Sequence, residues 1–533
     1  MQLQGRSFIG RSLGTEGSRV FCAFDPSTSN RIEPEFHSAT ADEIDRAAHL
    51  AERAALEYRK TSGKQRCEFL HSIADEILAL ESLIKPRVIL ETALSAPRID
   101  GEFARTVNQM RMFADLAGDG SWVQARIDHA DANRQPVPKP EVRSMLRPIG
   151  PVLVFGASNF PLAISTAGGD TASALAAGNP VIVKAHPAHP GTSEYMAQAI
   201  LHAAEKCGMP EGVFSLLFDA GHQVGTALTA HPAVKAVGFT GSFQAGRALM
   251  NVAAARPEPI PFFAEMGSIN PVIVLPGAAH ARAVQIASGI YNAVTLGAGQ
   301  FCTNPGLIIL EADATPSGNH GSGPAAIVTE LTRLMQTASQ AAMLTSGICS
   351  AYKHGISRQA SDSRMKLLVN PGNDAGEFLC RPALLETSAE TLLSEPSLLH
   401  EVFGPSTIIA HTRNSIETQQ LIQVLAGQLT GTIHGTDSEL AERRDLIEYL
   451  EQKVGRVIVN GYPTGVEVCH AMIHGGPYPA TSDGRATSIG TQSIFRFARP
   501  VCYQGVPDRN LPAELKESNP MGIWRLVDGE YCK

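Results

Sequence analysis

Five short apolar runs, PVLVFGA, NPVIVKA, VFSLLF, VKAVGFT and NPVIVLP, recur between residues 151 and 276, and helical patterns separate them. A strand with one wet face alternates apolar and polar residues; runs without a polar break are strands buried on both faces, and parallel strands need helical crossovers. The region is therefore an α/β unit of Rossmann type. A second alternating region spans about 290 to 490, and GTQSIFRFARPVCYQGVP reads as one more strand leading into a tail. Ahead of the runs, Thr40-Ala41-Asp42-Glu43 has capping-box spacing and opens an amphipathic helical layer to about Ala117. The prolines of DANRQPVPKPEVRS (131–144) exclude a helix interior and leave a loop or edge segment. No internal repeat is found, and 533 residues exceed what one core fills, so two or more domains are expected.

Composition narrows the function classes. A net charge of -8 gives no broad positive field for a phosphate backbone, so no nucleic-acid partner is expected. No uncharged apolar run of about 18 residues is present, and the first residues carry no apolar core of a secretory signal, so the expected setting is cytoplasmic, away from membranes. Nine cysteines without a CxxC pair fit neither a disulfide framework nor a zinc site, and no metal ligand set is assigned.

One of those cysteines stands in unusual company, LGAGQFCTNPG around Cys302. Glycines let a ligand and a backbone N–H approach a thiol closely; a nucleophilic thiolate needs such access, a lowered pKa and an oxyanion donor. The alternative is a small buried hydrophobe. Glu265, in FFAEMGSINPVIV, sits among apolar neighbours that should raise its pKa toward that of a general base, unless it pairs with an arginine at a loop edge. Asn159 follows a strand end in VFGASNFP, either pointing an amide into a cleft or capping a helix. Lys184 ends the next strand, where a cation can meet a cofactor hydroxyl or phosphate. Gly241 and Ser242 form a turn after a strand, at a helix start that can accept a phosphate.

In this order and spacing, with EVFGP at 401–405, these pieces resemble the NAD(P)-dependent aldehyde dehydrogenase family from about residue 20 to residue 505. The resemblance implies an α/β fold with a Rossmann-type NAD(P)-binding domain (1–138 and 160–289), an α/β catalytic domain (290–488), a small β oligomerisation arm (139–159 and 489–510) and a C-terminal tail (511–533). It implies Cys302 as nucleophile, Asn159 as oxyanion donor and Glu265 as general base. The cofactor side would comprise Lys184 at the ribose, His186, Pro187, His222 and Gly225 nearby, Gly241 and Ser242 at the pyrophosphate, and Glu401 and Phe403 at the nicotinamide. NAD-preferring members commonly carry a glutamate where Pro187 stands, so NADP as well as NAD is expected. The stretches FGASNFPLAISTAGGD and NGYPTGVEVCHAMIHGG resemble the branch that oxidises 2,5-dioxopentanoate to 2-oxoglutarate; a broad aliphatic or fatty aldehyde dehydrogenase is the alternative. Arg105, Gln109 and Met112 share one face of a helix, and the resemblance makes such a face line the substrate tunnel. Arg105 is therefore expected to hold the substrate carboxylate, with Arg485 as rival and Phe160, Phe301 and His474 as further substrate contacts. A small-molecule aldehyde is the expected partner, and a homodimer or homotetramer the expected assembly.

Overall fold

The computed structural model describes residues 2–312, 323–372 and 376–533. Four of the five apolar runs join Phe262–Glu265 in one sheet, in the order Phe262–Glu265, Ala236–Thr240, Val152–Phe155, Val181–Lys184, Phe214–Leu217, with an N-terminal hairpin (Phe8–Ile9, Ser12–Leu13) added at the far edge. Those five strands are parallel and the hairpin is antiparallel. Both faces are covered, as unbroken apolar runs require. Leu153, Ile182, Leu217 and Val237 pack on one side against Ile44, Ala47, Ala48 and Ala51 of the helix Ala41–Tyr58. On the other, Val152, Val154, Val183 and Leu216 pack against helices that include Gly63–Ala79 and Ala96–Asp119. The Thr40–Glu43 capping box is formed.

The fifth run belongs elsewhere. Val272–Val274 pairs with Leu307–Glu311 and Gln428–His434 inside a second seven-stranded sheet, whose other strands are Lys366–Val369, Ala383–Ser388, Ser406–Thr412 and Val454–Val459. The sheet change thus falls between residues 265 and 272, ahead of the expected boundary at 290, because the pairing partners of NPVIV lie further along the chain.

A third sheet joins Ala498–Gln504, Val142–Pro148, Arg126–Asp128, Arg525–Val527 and Glu530–Cys532. Two expectations change here. Val152–Phe155, expected in the arm, lies in the first sheet. The expected tail is folded: Leu511, Leu515 and Ile523 are buried in the main core, Arg143 donates to the Leu515 carbonyl, and the last two strands extend the arm sheet.

At the opposite edge of the first sheet, residues 480–482 run beside Phe262–Glu265. Met266 N–H donates to Ala480 O (2.7 Å), Ser482 N–H to Ala264 O (3.0 Å), and Thr481 bridges Glu265. Lys184 and Glu265 end their strands and Asn159 lies four residues past Phe155, so all three emerge at the carboxyl end of the sheet, where open α/β sheets bind ligands.

Candidate active site

The Cys302 loop is held by backbone conformations that few side chains tolerate. After the helix Pro276–Thr295, residues 297–299 take φ values of 56°, 57° and 66°. A Cβ on Gly299 would lie 2.3 Å from the Gly404 carbonyl carbon, so glycine is what lets LGAGQFC pack on EVFGP. Asn270, itself left-handed at φ 48°, donates through Nδ2 to the carbonyls of Cys302 and Asn304, both at 2.9 Å. Its Oδ1 accepts from Ser268 and Thr430. Sequence reasoning missed Asn270; a polar residue before an apolar strand was its only signal.

Three side chains from distant parts of the chain meet beside this loop. His474 Nε2 lies 3.4 Å from Cys302 Sγ and 3.0 Å from Glu265 Oε1, and Ser488 Oγ donates to Glu265 Oε2. His474 and Glu265 are buried. Both expected pKa directions are corrected by this environment. Burial, reinforced by the Glu265 and Glu401 carboxylates, pushes the Cys302 thiol well above its usual value, against a smaller pull from Arg105. Burial also pushes Glu265 up, but His474 and Ser488 outweigh it and hold the carboxyl below the usual range. The resting pair is a thiol beside an ionised carboxylate. His474, expected among the substrate contacts, stands between them, and Ser488 was missed.

On the other side of Cys302, Asn159 Nδ2 donates to Gln300 O at 3.0 Å, which places its amide at the thiol loop. Phe160 and Phe301 pack edge to face with centroids 5.3 Å apart. A recess of about 280 Å³ is lined by Asn159, Gln300, Phe301 and Arg98. Arg98 lies over both rings and pairs with Glu102 at 2.6 Å. Arg105 lies 5.4 Å from the Phe160 centroid, and its Nε and Nη2 are buried with no hydrogen-bond partner among the described residues. Glu102 is thus occupied by Arg98, not Arg105. Met112 is half-buried, and Gln109 donates to Ala163 O. Arg485 is corrected: its side chain is 90% exposed and bound to Asp483 at 2.8 Å, because a two-residue spacing in the turn closes that pair locally.

The remaining candidates end or follow strands of the first sheet, except Glu401 and Phe403, which precede the strand Ser406–Thr412 of the second. Lys184 is buried, which lowers its pKa to about 8 against the opposing pull of Asp219. Burial, with His189 and Lys184 beside it, drives His186 well below the usual imidazole value. It is neutral at pH 7, and because Nδ1 accepts from Ala188 N–H, its other ring nitrogen carries the proton. Pro187 is half-buried and His222 exposed at the start of the helix Gln223–Ala230. Gly225 serves packing, because a Cβ there would lie 2.7 Å from the Phe155 ring. Gly241 donates to Glu265 O, and Ser242 caps the 12-residue helix Phe243–Ala254; both are exposed at its N-terminus, an arrangement that suits a pyrophosphate. Glu401 and Phe403 line a recess of about 420 Å³ with Ser268 and Asn304. Burial raises Glu401 to about 7 despite the Ser268 N–H it accepts.

The sequence pattern described as "Aldehyde dehydrogenase family" matches residues 14–487. The chain belongs to the aldehyde dehydrogenase family. Among full-length relatives, "Alpha-ketoglutaric semialdehyde dehydrogenase 2" of Azospirillum brasilense is 47% identical over 99% of this chain and 100% of its own length. "Alpha-ketoglutaric semialdehyde dehydrogenase" of Acinetobacter baylyi is 45% identical over 93% of this chain and 92% of its own. Among solved structures, a lactaldehyde dehydrogenase superposes with a TM-score of 0.80 at 19% identity, over 94% of this chain and 98% of that one. The gamma-glutamyl-gamma-aminobutyraldehyde dehydrogenase of Burkholderia cenocepacia gives 0.79 at 20% identity, over 95% and 97%. These last two establish the fold: Rossmann-type cofactor domain, α/β catalytic domain and β arm. As an aldehyde dehydrogenase family member, the chain is an NAD(P)-dependent oxidoreductase.

Proposed function

We propose that this aldehyde dehydrogenase oxidises 2,5-dioxopentanoate to 2-oxoglutarate, with Cys302 as nucleophile, Asn159 as oxyanion donor, and Glu265 and His474 as the acid–base pair. The observation that carries the substrate is the Arg105 guanidinium beside the Phe160–Phe301 pair, whose buried Nε and Nη2 have no partner among the described residues. A carboxylate supplies what that group lacks, and a guanidinium grips it with two parallel bonds. The names of the two full-length relatives agree with this reading.

The chemistry follows from the distances. The Cys302 thiol must lose its proton to attack, and His474 Nε2 at 3.4 Å is placed to take it, with the Glu265 carboxylate 3.0 Å away to stabilise the imidazolium. The thiohemiacetal oxyanion is met by the Asn159 amide and the Cys302 backbone N–H. When bound, NAD(P) supplies the hydride acceptor for this oxidation. Lys184 and the Gly241–Ser242 helix start would hold its ribose and phosphates, and Glu401 and Phe403 its nicotinamide end. Glu265 then activates the water that hydrolyses the Cys302 thioester and releases the acid.

Arg105→Met should cost about 1.5–3 kcal/mol, roughly ten- to a hundredfold in kcat/KM, for 2,5-dioxopentanoate. The same variant should leave pentanal nearly unaffected. Parallel losses on both aldehydes would assign Arg105 to the fold and remove the main support for an anionic substrate.

NADP use rests on Pro187. No carboxylate stands there to repel a 2′-phosphate, so Pro187→Glu should raise the KM for NADP by about tenfold or more through like-charge repulsion while changing that for NAD little. Equal effects on both cofactors would place the discriminating contact elsewhere.

The edge strands Ala498–Gln504 of the arm, largely exposed, and Val454–Val459 of the second sheet, mostly half-buried, support assembly as a homodimer or homotetramer by edge pairing between subunits. Among the described residues no helix is long and apolar enough to cross a membrane, in keeping with a cytoplasmic enzyme.

A further inference from the structure

Three donor atoms of graded softness converge at the thiol. Cys302 Sγ, His474 Nε2 and a Glu265 oxygen all lie within 4.8 Å of one another, with Sγ–Nε2 at 3.4 Å and Nε2–Oε1 at 3.0 Å. A tetrahedral Zn²⁺, with Zn–S about 2.3 Å and Zn–N or Zn–O about 2.0–2.1 Å, sets S···N and N···O edges of about 3.6 and 3.3 Å. These two observed separations fall a few tenths short of those edges, and the third, from Sγ to the Glu265 oxygen, lies within 4.8 Å.

Two further features suit a ligand set. Glu265 Oε1 is buried and accepts no aligned hydrogen bond despite its closeness to His474, so a lone pair is free for a cation. The ligands are also braced from behind: Ser488 holds the other Glu265 oxygen, and the His474 backbone is tied to Thr487 Oγ1 and Ser488. Three protein ligands leave a fourth position for water.

We propose that the resting active site is a reversible inhibitory site for Zn²⁺. The ion replaces the thiol proton: the S–H bond breaks, a Zn–S bond forms, and one proton leaves to solvent per ion bound, with no change of oxidation state. Occupied Cys302 neither adds to an aldehyde nor reacts with alkylating agents. Mg²⁺ and Ca²⁺, which require six or more oxygen ligands, do not compete. The inference concerns the three side chains alone and is independent of which aldehyde is oxidised.

Cobalt titration of the full-length reduced protein tests it without an activity readout. Co²⁺ should produce a thiolate-to-cobalt charge-transfer band and the intense visible bands of a four-coordinate ion, one equivalent of Zn²⁺ should bleach them, and Mg²⁺ should not. Zn²⁺ should also protect Cys302 from iodoacetamide in the unmodified protein, read by peptide mass, and EDTA should restore both alkylation and turnover. His474→Gln should weaken Zn²⁺ binding at least about tenfold, and Cys302→Ser should abolish the charge-transfer band. The half-exposed Cys67, with His71 and Asp115, is the other sulfur-containing group of this kind among the described residues, so Cys67→Ser is the control and should leave the band intact. A band that persists in Cys302→Ser, or vanishes in Cys67→Ser, or alkylation of Cys302 that Zn²⁺ does not slow, would overturn the proposal.

Discussion

Cys302→Ala should form no acid from any aldehyde while binding NADP as tightly as the unaltered enzyme. Removing the nucleophile of a unit that works together costs about 10⁴- to 10⁶-fold in kcat. Cofactor binding is spared because Lys184, the Gly241–Ser242 turn and the His186–Pro187 segment are carried by the first sheet and the Cys302 loop by the second. NADPH formation followed by absorbance, with NADP affinity from fluorescence, separates the two effects. Appreciable turnover in this variant would end the assignment. The raised thiol pKa adds a pH dependence whose sign is fixed. A group held above its usual value gives up its proton only as pH rises, so iodoacetamide alkylation of Cys302 should accelerate continuously through and above neutrality.

Glu265→Gln should separate the two halves of the reaction. Glutamine keeps the shape and the contact with Ser488 but cannot take a proton from water, so hydrolysis of the thioester should slow by about 10²- to 10⁴-fold. A burst of one NADPH per site, itself slowed by loss of the carboxylate beside His474 but still faster than hydrolysis, should precede the slow phase, and mass spectrometry should find the acyl group on the Cys302 peptide. Unchanged turnover would remove Glu265 from the mechanism. Its depressed pKa sets the acid limb: the carboxylate stays ionised above its lowered pKa, so the unaltered enzyme should keep its base until pH falls below the usual carboxylate range.

The features legible in the sequence are those written locally. An unbroken apolar run marks a doubly buried strand wherever it lies, and a lysine or glutamate at its end emerges at the ligand side of the sheet. The glycines before Cys302 likewise announce a backbone that other residues would strain. Three kinds of information are absent from such local signals. NPVIV reads like the other runs, and only its pairing with Leu307–Glu311 and Gln428–His434 places it in the second sheet. His474 and Ser488 lie 172 and 223 residues from their partners Cys302 and Glu265, so no spacing rule connects them. The pKa directions failed for the same reason: apolar neighbours were visible around Glu265, while the imidazole and hydroxyl that outweigh them arrive from far along the chain. Leu511, Leu515 and Ile523 were likewise too sparsely spaced to show a period, although each fills a place in the core.

The segment that runs beside Phe262–Glu265 ties two otherwise unrelated selective pressures together. A parallel sheet ending in a bare strand offers its free N–H and C=O groups to any other chain, and here residues 480–482 occupy them. Six residues beyond that seal, Ser488 reaches Glu265. Changes in this short stretch therefore compromise catalysis and solubility at once, and lineages can retune it only where both survive.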